Sequence, residues 1–368
     1  MKSTKLGLCA AGLAIGLCGI RYSMAQTASG DGIATVPTNL PNIRAFVQPP
    51  PTFNPVFASP EALQQYGFPP KPDQLKAPAA YSAWAKAVSA PQTRLQSPEL
   101  EQTPIFNGPA QIRPSGESKP PDSEFNSTST NCIAINSSNW SGYAVYDNTT
   151  NPFAKSSIYA YWIVPLAQHA FGNSSGGWDY SSQWVGIDGF GSPDVLQAGT
   201  EADAYASGST KATFYAAWIE WYPFSESRIS NFSVAPGNEM FVEVWNTNAT
   251  TGHAYLINIS TQQAVAFTFD APSSTRLVGN SAEWVVGRPA IGSSLATFTN
   301  YVACPFDACY AVGSVKGGTY NRVYYPGIKL AGTTVFAISM LDNAGNVISI
   351  PALVGPSDVW FRDTGLSF

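Results

Sequence analysis

From about residue 132 onward, short runs of β-branched and aromatic residues alternate with turn residues. The runs are rich in Val, Ile, Tyr, Phe, Trp and Thr, and Gly, Asn, Asp, Pro and Ser separate them, as is typical of strands. We predict strands at 139–147, 157–164, 181–188, 212–222, 239–245, 254–259, 264–270, 281–286 and 333–341. No long amphipathic helix interrupts them. Many closely spaced strands over about 240 residues favour an all-β fold, a large two-sheet antiparallel β-sandwich.

The preceding region, residues 26–131, is rich in Pro, Ala, Gln and Ser. Two short helices are predicted in it. The triplet Ser-Pro-Glu at 59–61 opens the first with an N-cap, a proline at the first helical position and an early acid. The second, at about 79–89, carries an apolar stripe made of Tyr81, Trp84 and Val88. Because an apolar stripe on a free linker would stay exposed to water, we expect this region to dock on another part of the chain.

The N-terminus has the form of a signal peptide, with a basic start, a short apolar run and small residues before the cleavage point. The apolar run is too short to favour a transmembrane helix, so we predict a secreted or periplasmic protein that has no membrane association when mature. The expected organisation is a signal peptide at 1–25, a propeptide or linker at 26–131, and a catalytic domain at 132–368. The polar stretch 115–131 is the expected cut region, and a solvated linker is the alternative to a propeptide.

Charged residues make up only 12% of the chain, and the net charge is -5. This composition argues against nucleic-acid binding, which needs a Lys/Arg surface. It fits either work in acid, where ionised carboxylates lose their pairing energy, or ordinary secreted-protein composition. The two histidines, His169 and His253, stand in no metal-ligand spacing, and we identify no nucleophile elbow of the serine-hydrolase type. We therefore expect neither a metal site nor a cofactor.

Three cysteines remain after removal of the signal peptide. In an exported chain, the spacing of Cys304 and Cys309 predicts a short disulfide loop. Two unpaired thiols are the alternative. Cys132 is left without an assigned partner.

Three predicted strands each place one carboxylate in an aromatic or apolar setting, because side chains alternate between the two faces of a strand. These acids are Asp188, Glu220 and Glu283. If they share one concave face, the result is a cleft of clustered acids able to support acid–base chemistry. Solvent-facing acids are the plainer interpretation of each strand alone. The pattern by itself also leaves a peptidase and a glycosidase equally open.

Five segments, taken in order, resemble the glutamic peptidase (eqolisin) family. They are NWSGYA at 139–144, QWVGIDG at 183–189, VLQAG at 195–199, WIEWYP at 218–223 and NSAEWVV at 280–286. The resemblance is good over about 135–300 and looser beyond it. It implies a lectin-like (concanavalin-type) jelly-roll sandwich, a precursor with an inhibitory propeptide, and a bacterial-type member.

The resemblance also implies roles for individual residues. The family's catalytic glutamine falls on Gln197 and its catalytic glutamate on Glu283. The expected cleft or supporting residues are Trp140, Trp184, Asp188, Glu201, Trp218, Glu220 and Tyr222. Glu201 stands where an Asp is common, and Ala216 replaces an acid of the fungal members. These departures bear on subsite preference and pH optimum.

The implied mechanism is peptide hydrolysis in acid by a monomeric endopeptidase acting on polypeptide substrates. Glu283 would take a proton from water and pass it to the leaving nitrogen, while the Gln197 amide would stabilise the oxyanion. A glycan-directed sandwich, either a glycosidase or a carbohydrate-binding module, is the alternative. An aspartic peptidase is not favoured, since the Asp-Thr-Gly triplet at 363–365 has no second copy.

Overall fold

The computed structural model describes residues 33–114, 132–171, 175–314 and 322–364. The predicted signal peptide and cut region lie outside these residues. The N-terminal part contains two helices, α1 (Pro60–Gln65) and α2 (Pro78–Ser89). Its strands are β1 (Thr35–Pro37), β2 (Ile43–Phe46), β3 (Thr93–Arg94), β4 (Leu100–Gln102), β5 (Ile105–Phe106) and β6 (Ile112–Arg113).

The remaining described residues form strands and connecting turns. The first group is β7 (Cys132–Ser137), β8 (Trp140–Tyr146), β9 (Ser157–Ile163), β10 (Gly177–Asp179), β11 (Ser182–Ile187), β12 (Val195–Ser207), β13 (Thr210–Tyr222), β14 (Ser227–Ile229), β15 (Glu239–Asn248), β16 (Thr251–Asn258), β17 (Gln263–Asp270) and β18 (Ser281–Gly287). The second is β19 (Ala290–Ile291), β20 (Ser294–Leu295), β21 (Ala303–Gly313), β22 (Arg322–Tyr324), β23 (Thr334–Leu341), β24 (Val347–Leu353) and β25 (Val359–Asp363).

Most strands form two largely antiparallel sheets packed face to face and joined where β23 pairs with β24. A small third sheet consists of β20, β19 and β5. The site sheet runs in the order β14, β13, β12, β11, β18, β8, β23 and β7, with β7 parallel to β23. The back sheet runs in the order β1, β2, β17, β16, β15, β9, β21, β25 and β24. The predicted all-β, two-sheet antiparallel β-sandwich is confirmed.

The nine predicted strands are all present, with ends shifted by a few residues. Several observed strands were not predicted, and β12 and β21 are the longest of them. In β12, one face carries only Val195 and Tyr205 among polar and small residues, so residue propensity gave a weak strand signal. The other face, with Leu196 and Ala198, lies in the core between the sheets.

The main core lies between the two sheets, where alternate side chains of each sheet meet. Val185, Ile219 and Trp284 come from the site sheet, and Val242 and Leu256 come from the back sheet. All are almost completely buried. Because side chains alternate across a strand, the opposite face of the site sheet is left for the residues with chemistry.

The N-terminal region packs on the outer face of the back sheet, and both predicted helices are present. Ser59 caps α1 by accepting a hydrogen bond from the Ala62 amide at 3.3 Å. In α2, Trp84 and Val88 are buried, whereas Tyr81 is half-buried. They pack in a cluster with aromatic side chains of the back sheet. The expected docking of this region is therefore observed.

The predicted Cys304–Cys309 disulfide is wrong, because both thiols are buried and free. The two residues lie five positions apart on the single strand β21. An extended chain advances about 3.3 Å per residue, which puts their Cα atoms well beyond the roughly 7 Å limit for a bridge. The Cys304 thiol instead points to the Ile163 carbonyl at 3.4 Å. Within the described residues, no helix has the length and apolarity needed to cross a membrane.

Candidate active site

The register of three neighbouring strands brings Gln197 and Glu283 together. Gly186 in β11 stands opposite Gln197 in β12 on one side and opposite Glu283 in β18 on the other. Gln197 is in turn opposite Glu220 in β13. Directly opposite residues of an antiparallel pair point to the same face. Gln197 and Glu283 therefore flank Gly186 on the face away from the core, with backbones about 10 Å apart at the usual strand spacing.

The absence of a side chain at Gly186 keeps the space between these two residues open. A Cβ there would lie 2.8 Å from Cζ3 of Trp184 and 3.2 Å from Cγ1 of Val195. Contacts this short require a neighbour to move. Glycine at this position thus allows a peptide group to approach the sheet between Gln197 and Glu283.

Aromatic side chains form the walls of this cleft. Trp140 and Trp184 meet edge to face, with ring centroids 4.9 Å apart. Trp218 is fully buried in the same cluster, and Tyr222 packs at its edge. The four aromatic residues expected to line a cleft are thus on one face with Gln197 and Glu283.

Asp188 has a supporting position. It directly follows β11 and has a φ of 69°. Its carboxylate accepts hydrogen bonds from the amides of Val278 at 2.6 Å, Gly279 at 2.9 Å and Asn280 at 2.9 Å. Burial raises its pKa to about 6, although these bonds act in the opposite direction. Asp188 therefore holds the turn that leads into β18, the strand of Glu283.

Glu201 belongs to a buried ionic cluster next to the cleft, which we call the Arg228 cluster (Glu201, Asp203, Glu226 and Arg228). The Arg228 guanidinium donates to Glu201 at 2.6 Å and lies 3.2 Å from Glu226 and 3.9 Å from Asp203. Burial raises the pKa values of Asp203 and Glu226 well above their ordinary range. Three buried carboxyls around one cation favour retention of protons by the carboxyls.

Sequence analysis did not identify Asp203, Glu226 or Arg228 as site residues. Asp203 could have been found, since it continues the period-2 face of Gln197, Gly199 and Glu201. Glu226 and Arg228 follow the turn after β13 and reach the site only through the pairing of β14 with β13. The described residues contain no group of His, Cys, Asp and Glu side chains arranged to hold a metal ion.

Part of the N-terminal region lies in this cleft. Residues 103–111, here called the cleft segment, are fixed at one end by Thr103, whose amide donates to the Glu226 carbonyl at 3.0 Å. At the other end, the Ala110 amide donates to the Gly189 carbonyl at 3.0 Å. Between them, the Trp140 indole donates to the Gly108 carbonyl at 3.0 Å. The cleft is therefore covered by the chain itself.

Asn107 is the centre of the cleft segment. Its carbonyl oxygen accepts a short hydrogen bond from the Gln197 side-chain amide. Its amide donates to the Glu220 carboxylate at 3.0 Å. Burial raises the pKa of Glu220 to about 8, against the effect of these bonds from Asn107. The Gln197 side-chain amide is thus already hydrogen-bonded to a peptide carbonyl of the same chain.

Glu283 is fully buried under this cover. Burial, with a smaller contribution from the charge of Asp188, raises its pKa well above the ordinary 4.5. A carboxyl in this state holds its proton and can donate it but cannot accept one. Opening the cleft to water would reverse the largest cause of the shift. The site thus combines the Gln197 amide, a donor that does not titrate, with the Glu283 carboxyl, whose protonation depends on whether the cleft is covered.

Comparisons with known proteins point to one family. The profile described as the peptidase A4 family matches residues 138–349. Aspergillopepsin-2 of Aspergillus niger is 31% identical over 196 residues, which cover 49% of this chain and 67% of that protein. Scytalidopepsin B of Scytalidium lignicola is 32% identical over 152 residues, covering 40% of this chain and about half (51%) of that protein.

Two solved structures show a weaker likeness. Scytalido-glutamic peptidase with a transition state analog inhibitor has a TM-score of 0.48 at 24% identity, covering 62% of this chain and 98% of that one. Aspergilloglutamic peptidase from Aspergillus niger has a TM-score of 0.42 at 24% identity, covering 50% and 99%. The family profile spans more than half of the chain, and it includes all the residues discussed here except those of the N-terminal region. The protein is therefore a peptidase rather than a glycan-directed sandwich, and it belongs to the peptidase A4 family, the glutamic peptidases.

Proposed function

We propose that this protein is the precursor of a secreted acid endopeptidase in which Gln197 and Glu283 form the catalytic pair. The observation that carries the proposal is the peptide carbonyl of Asn107 at the Gln197 amide, on the face shared with Glu283. A substrate carbonyl in the same place would lie between a hydrogen-bond donor and a carboxyl, as hydrolysis requires.

In the proposed reaction, ionised Glu283 takes a proton from the attacking water and returns it to the leaving nitrogen. Gln197 donates to the carbonyl oxygen as negative charge develops, and an amide keeps this capacity at low pH. Asp188 holds the turn before β18 and so orients Glu283. The aromatic walls formed by Trp140, Trp184, Trp218 and Tyr222 bind apolar side chains of a polypeptide substrate.

The cleft segment is the proposed inhibitor within the same chain. It occupies the amide of Gln197 and excludes water from Glu283. Since burial keeps Glu283 protonated, the covered enzyme has no base to activate water. Removal of the segment after a cut in 115–131 would restore both groups. Export rests on the signal-peptide pattern at 1–25, and a monomer is expected.

The test is proteolysis by the purified full chain after acid treatment. A denatured protein substrate is incubated across about pH 2 to 7 with an aspartic peptidase inhibitor present, alongside Glu283→Gln and Gln197→Ala variants. We expect inhibitor-resistant cleavage with an acid optimum, lost in Glu283→Gln and reduced by about 10²-fold or more in Gln197→Ala.

The matched control is Glu243→Gln, a buried carboxyl on the outer face of the back sheet. It should leave the rate unchanged. Full activity in Glu283→Gln would remove that residue from catalysis, and proteolysis absent at every pH would reject the proposed activity.

A further inference from the structure

The side chain of Asn107 lies in a polar pocket that offers a partner to each polar atom of its carboxamide. Its Nδ2 donates to Glu220 Oε2 at 3.1 Å and to Glu226 Oε2 at 3.1 Å. Its Oδ1 accepts from the Ser182 hydroxyl at 2.7 Å. Only 4% of the residue is exposed. Both N–H donors and the carbonyl of the carboxamide thus have partners in the pocket.

The position of Asn107 along the cleft relates this pocket to the scissile bond. The Asn107 carbonyl is the one that accepts from Gln197. In a substrate bound the same way, that carbonyl would belong to the residue just before the bond to be cut. The pocket therefore receives the side chain of the residue on the amino side of the scissile bond.

We propose that Glu226 and Ser182, together with Glu220, form a specificity subsite that selects a carboxamide side chain, Asn above all, before the scissile bond. The inference rests on the proposed function, because Gln197 marks the scissile carbonyl only if it is the oxyanion donor. Glu226 is the determinant that sequence analysis did not identify.

The energetic reason is the cost of leaving buried polar groups unpaired. A leucine in the pocket would leave Glu226 Oε2 without a partner and the Ser182 hydroxyl with only the Gly287 carbonyl at 3.4 Å. Each lost hydrogen bond to a buried polar group should lower kcat/KM by about 10-fold. An aspartate would add a third carboxyl to two that are already buried. A lysine could donate to both carboxyls but offers Ser182 no acceptor.

The pocket is also rigid, which prevents it from adapting to other side chains. Arg228 Nε lies 3.2 Å from Glu226 Oε1, the oxygen that does not contact Asn107. Ser182 is fixed in β11 between β12 and β18. A preorganised site discriminates more strongly than one that can rearrange, because its polar groups stay in the positions that suit one side chain.

The experiment uses the acid-treated full chain and a set of peptides that differ only in the residue before one cleavable bond. That residue is Asn, Gln, Lys, Asp or Leu, and mass spectrometry locates the cut. We expect kcat/KM for the Asn peptide to exceed that for the Leu peptide by about 10²-fold, as the loss of two hydrogen bonds to buried polar groups predicts. Gln and Lys should fall between them.

Two variants assign the preference to the pocket. In Glu226→Ala, the Asn-to-Leu ratio of kcat/KM should fall to within a few-fold of unity. Ser182→Ala changes the volume less and should lower the ratio about 10-fold. Because a ratio does not depend on the amount of folded enzyme, partial misfolding of either variant does not obscure the result. Glu243→Gln serves as the unchanged control.

The possible results are distinguishable. Equal cleavage of the Asn and Leu peptides by an active enzyme would overturn the subsite while leaving the proposed function intact. An Asn preference that survives in both variants would overturn its assignment to Glu226 and Ser182. If neither the peptides nor a denatured protein were cleaved, the proposed function would fail and this inference with it.

Discussion

At the scale of single residues, the site is dominated by carboxyls whose pKa values are raised by burial, so that they stay protonated at a higher pH than usual. Glu220 shows this most directly, with a pKa of about 8 beside Asn107. In the unfolded chain, its pKa would be near 4.5. Folding therefore takes up a proton between these values, and Glu220 stabilises the folded state most at acid pH.

The sign of this linkage gives a prediction for Glu220→Gln. The raised folded pKa contributes stability that is complete below about pH 4.5 and is lost as the pH rises through about 8. Each unit of pKa difference corresponds to about 1.4 kcal/mol. Since glutamine does not titrate, the variant should gain stability relative to the parent as the pH rises from 4 to 8. Denaturant unfolding, in a Glu283→Gln background that prevents autolysis, measures the effect. An equal difference at both pH values would contradict it.

Gly186 gives a second prediction at this scale. In Gly186→Ala, the new methyl group would displace Trp184 and narrow the space between Gln197 and Glu283. We expect kcat/KM to fall by at least about 10-fold, with about 1–3 kcal/mol of overpacking cost. Gly208→Ala is the control, since a Cβ there meets nothing within 4 Å and only its φ of 58° is unfavourable. If Gly186→Ala lost stability but kept its activity, the proposed narrowing would be wrong.

At the scale of elements, the cleft segment is the feature that closes the site. It is anchored by backbone hydrogen bonds at both ends and by Asn107 in the middle. Its contacts come from β11, β12, β13 and the turn before β14, so it bridges strands that are far apart in sequence. It therefore covers Gln197 and Glu283 as one unit.

The prediction for this element concerns Asn107→Ala in the otherwise unchanged precursor. Loss of the carboxamide removes three hydrogen bonds, which leaves Glu226 Oε2 without a partner and the Ser182 hydroxyl with only the Gly287 carbonyl at 3.4 Å. We expect the segment to leave the cleft more readily, so that uncut precursor hydrolyses a fluorogenic peptide about 10-fold faster in the first minutes at acid pH. Intact-mass analysis verifies that the precursor is still uncut.

Gln102→Ala is the matched control, because Gln102 is exposed just before the cleft segment. It should behave as the parent does. If the uncut Asn107→Ala protein hydrolysed the peptide as slowly as the parent, the backbone anchors alone would hold the segment.

At the scale of the whole molecule, the N-terminal region is divided between two surfaces. Its helices cover the outer face of the back sheet, where the Tyr159 and Tyr161 hydroxyls donate to the carbonyls of Ala80 at 2.7 Å and Ala83 at 2.8 Å. Its later residues enter the cleft. Removing the helices would expose a large aromatic cluster and the buried Glu243, whereas removing the cleft segment exposes the site.

We therefore expect the N-terminal region to remain bound through residues 33–102 after the proposed cut in 115–131, even when the cleft segment has left the site. Native size-exclusion chromatography of the activated protein, followed by mass spectrometry, should find this fragment with the catalytic part. Trp84→Ala, which should cost about 3–5 kcal/mol of packing, should release it. A fully active species that lacks residues 33–102 would show that the region leaves with the cleft segment.

Much of this protein followed from its sequence because the determinants are local. Alternating side chains in the runs at 181–188, 212–222 and 281–286 predicted strands and assigned Glu220 and Glu283 to defined faces. The Ser-Pro-Glu start and the stripe with Trp84 predicted both helices. The segments around Gln197 and Glu283 identified the family.

Tertiary structure alone decided which of these groups meet. Register across β11 placed Gln197 and Glu283 on either side of Gly186, and pairing of β14 with β13 brought Glu226 and Arg228 to the cleft. Asn107 reaches Gln197 from 90 positions away, and Cys304 and Cys309 stay apart because one extended strand carries both. Periodicity along a chain determines the face on which a side chain lies, whereas long-range pairing determines its neighbours, and the chemistry depends on those neighbours.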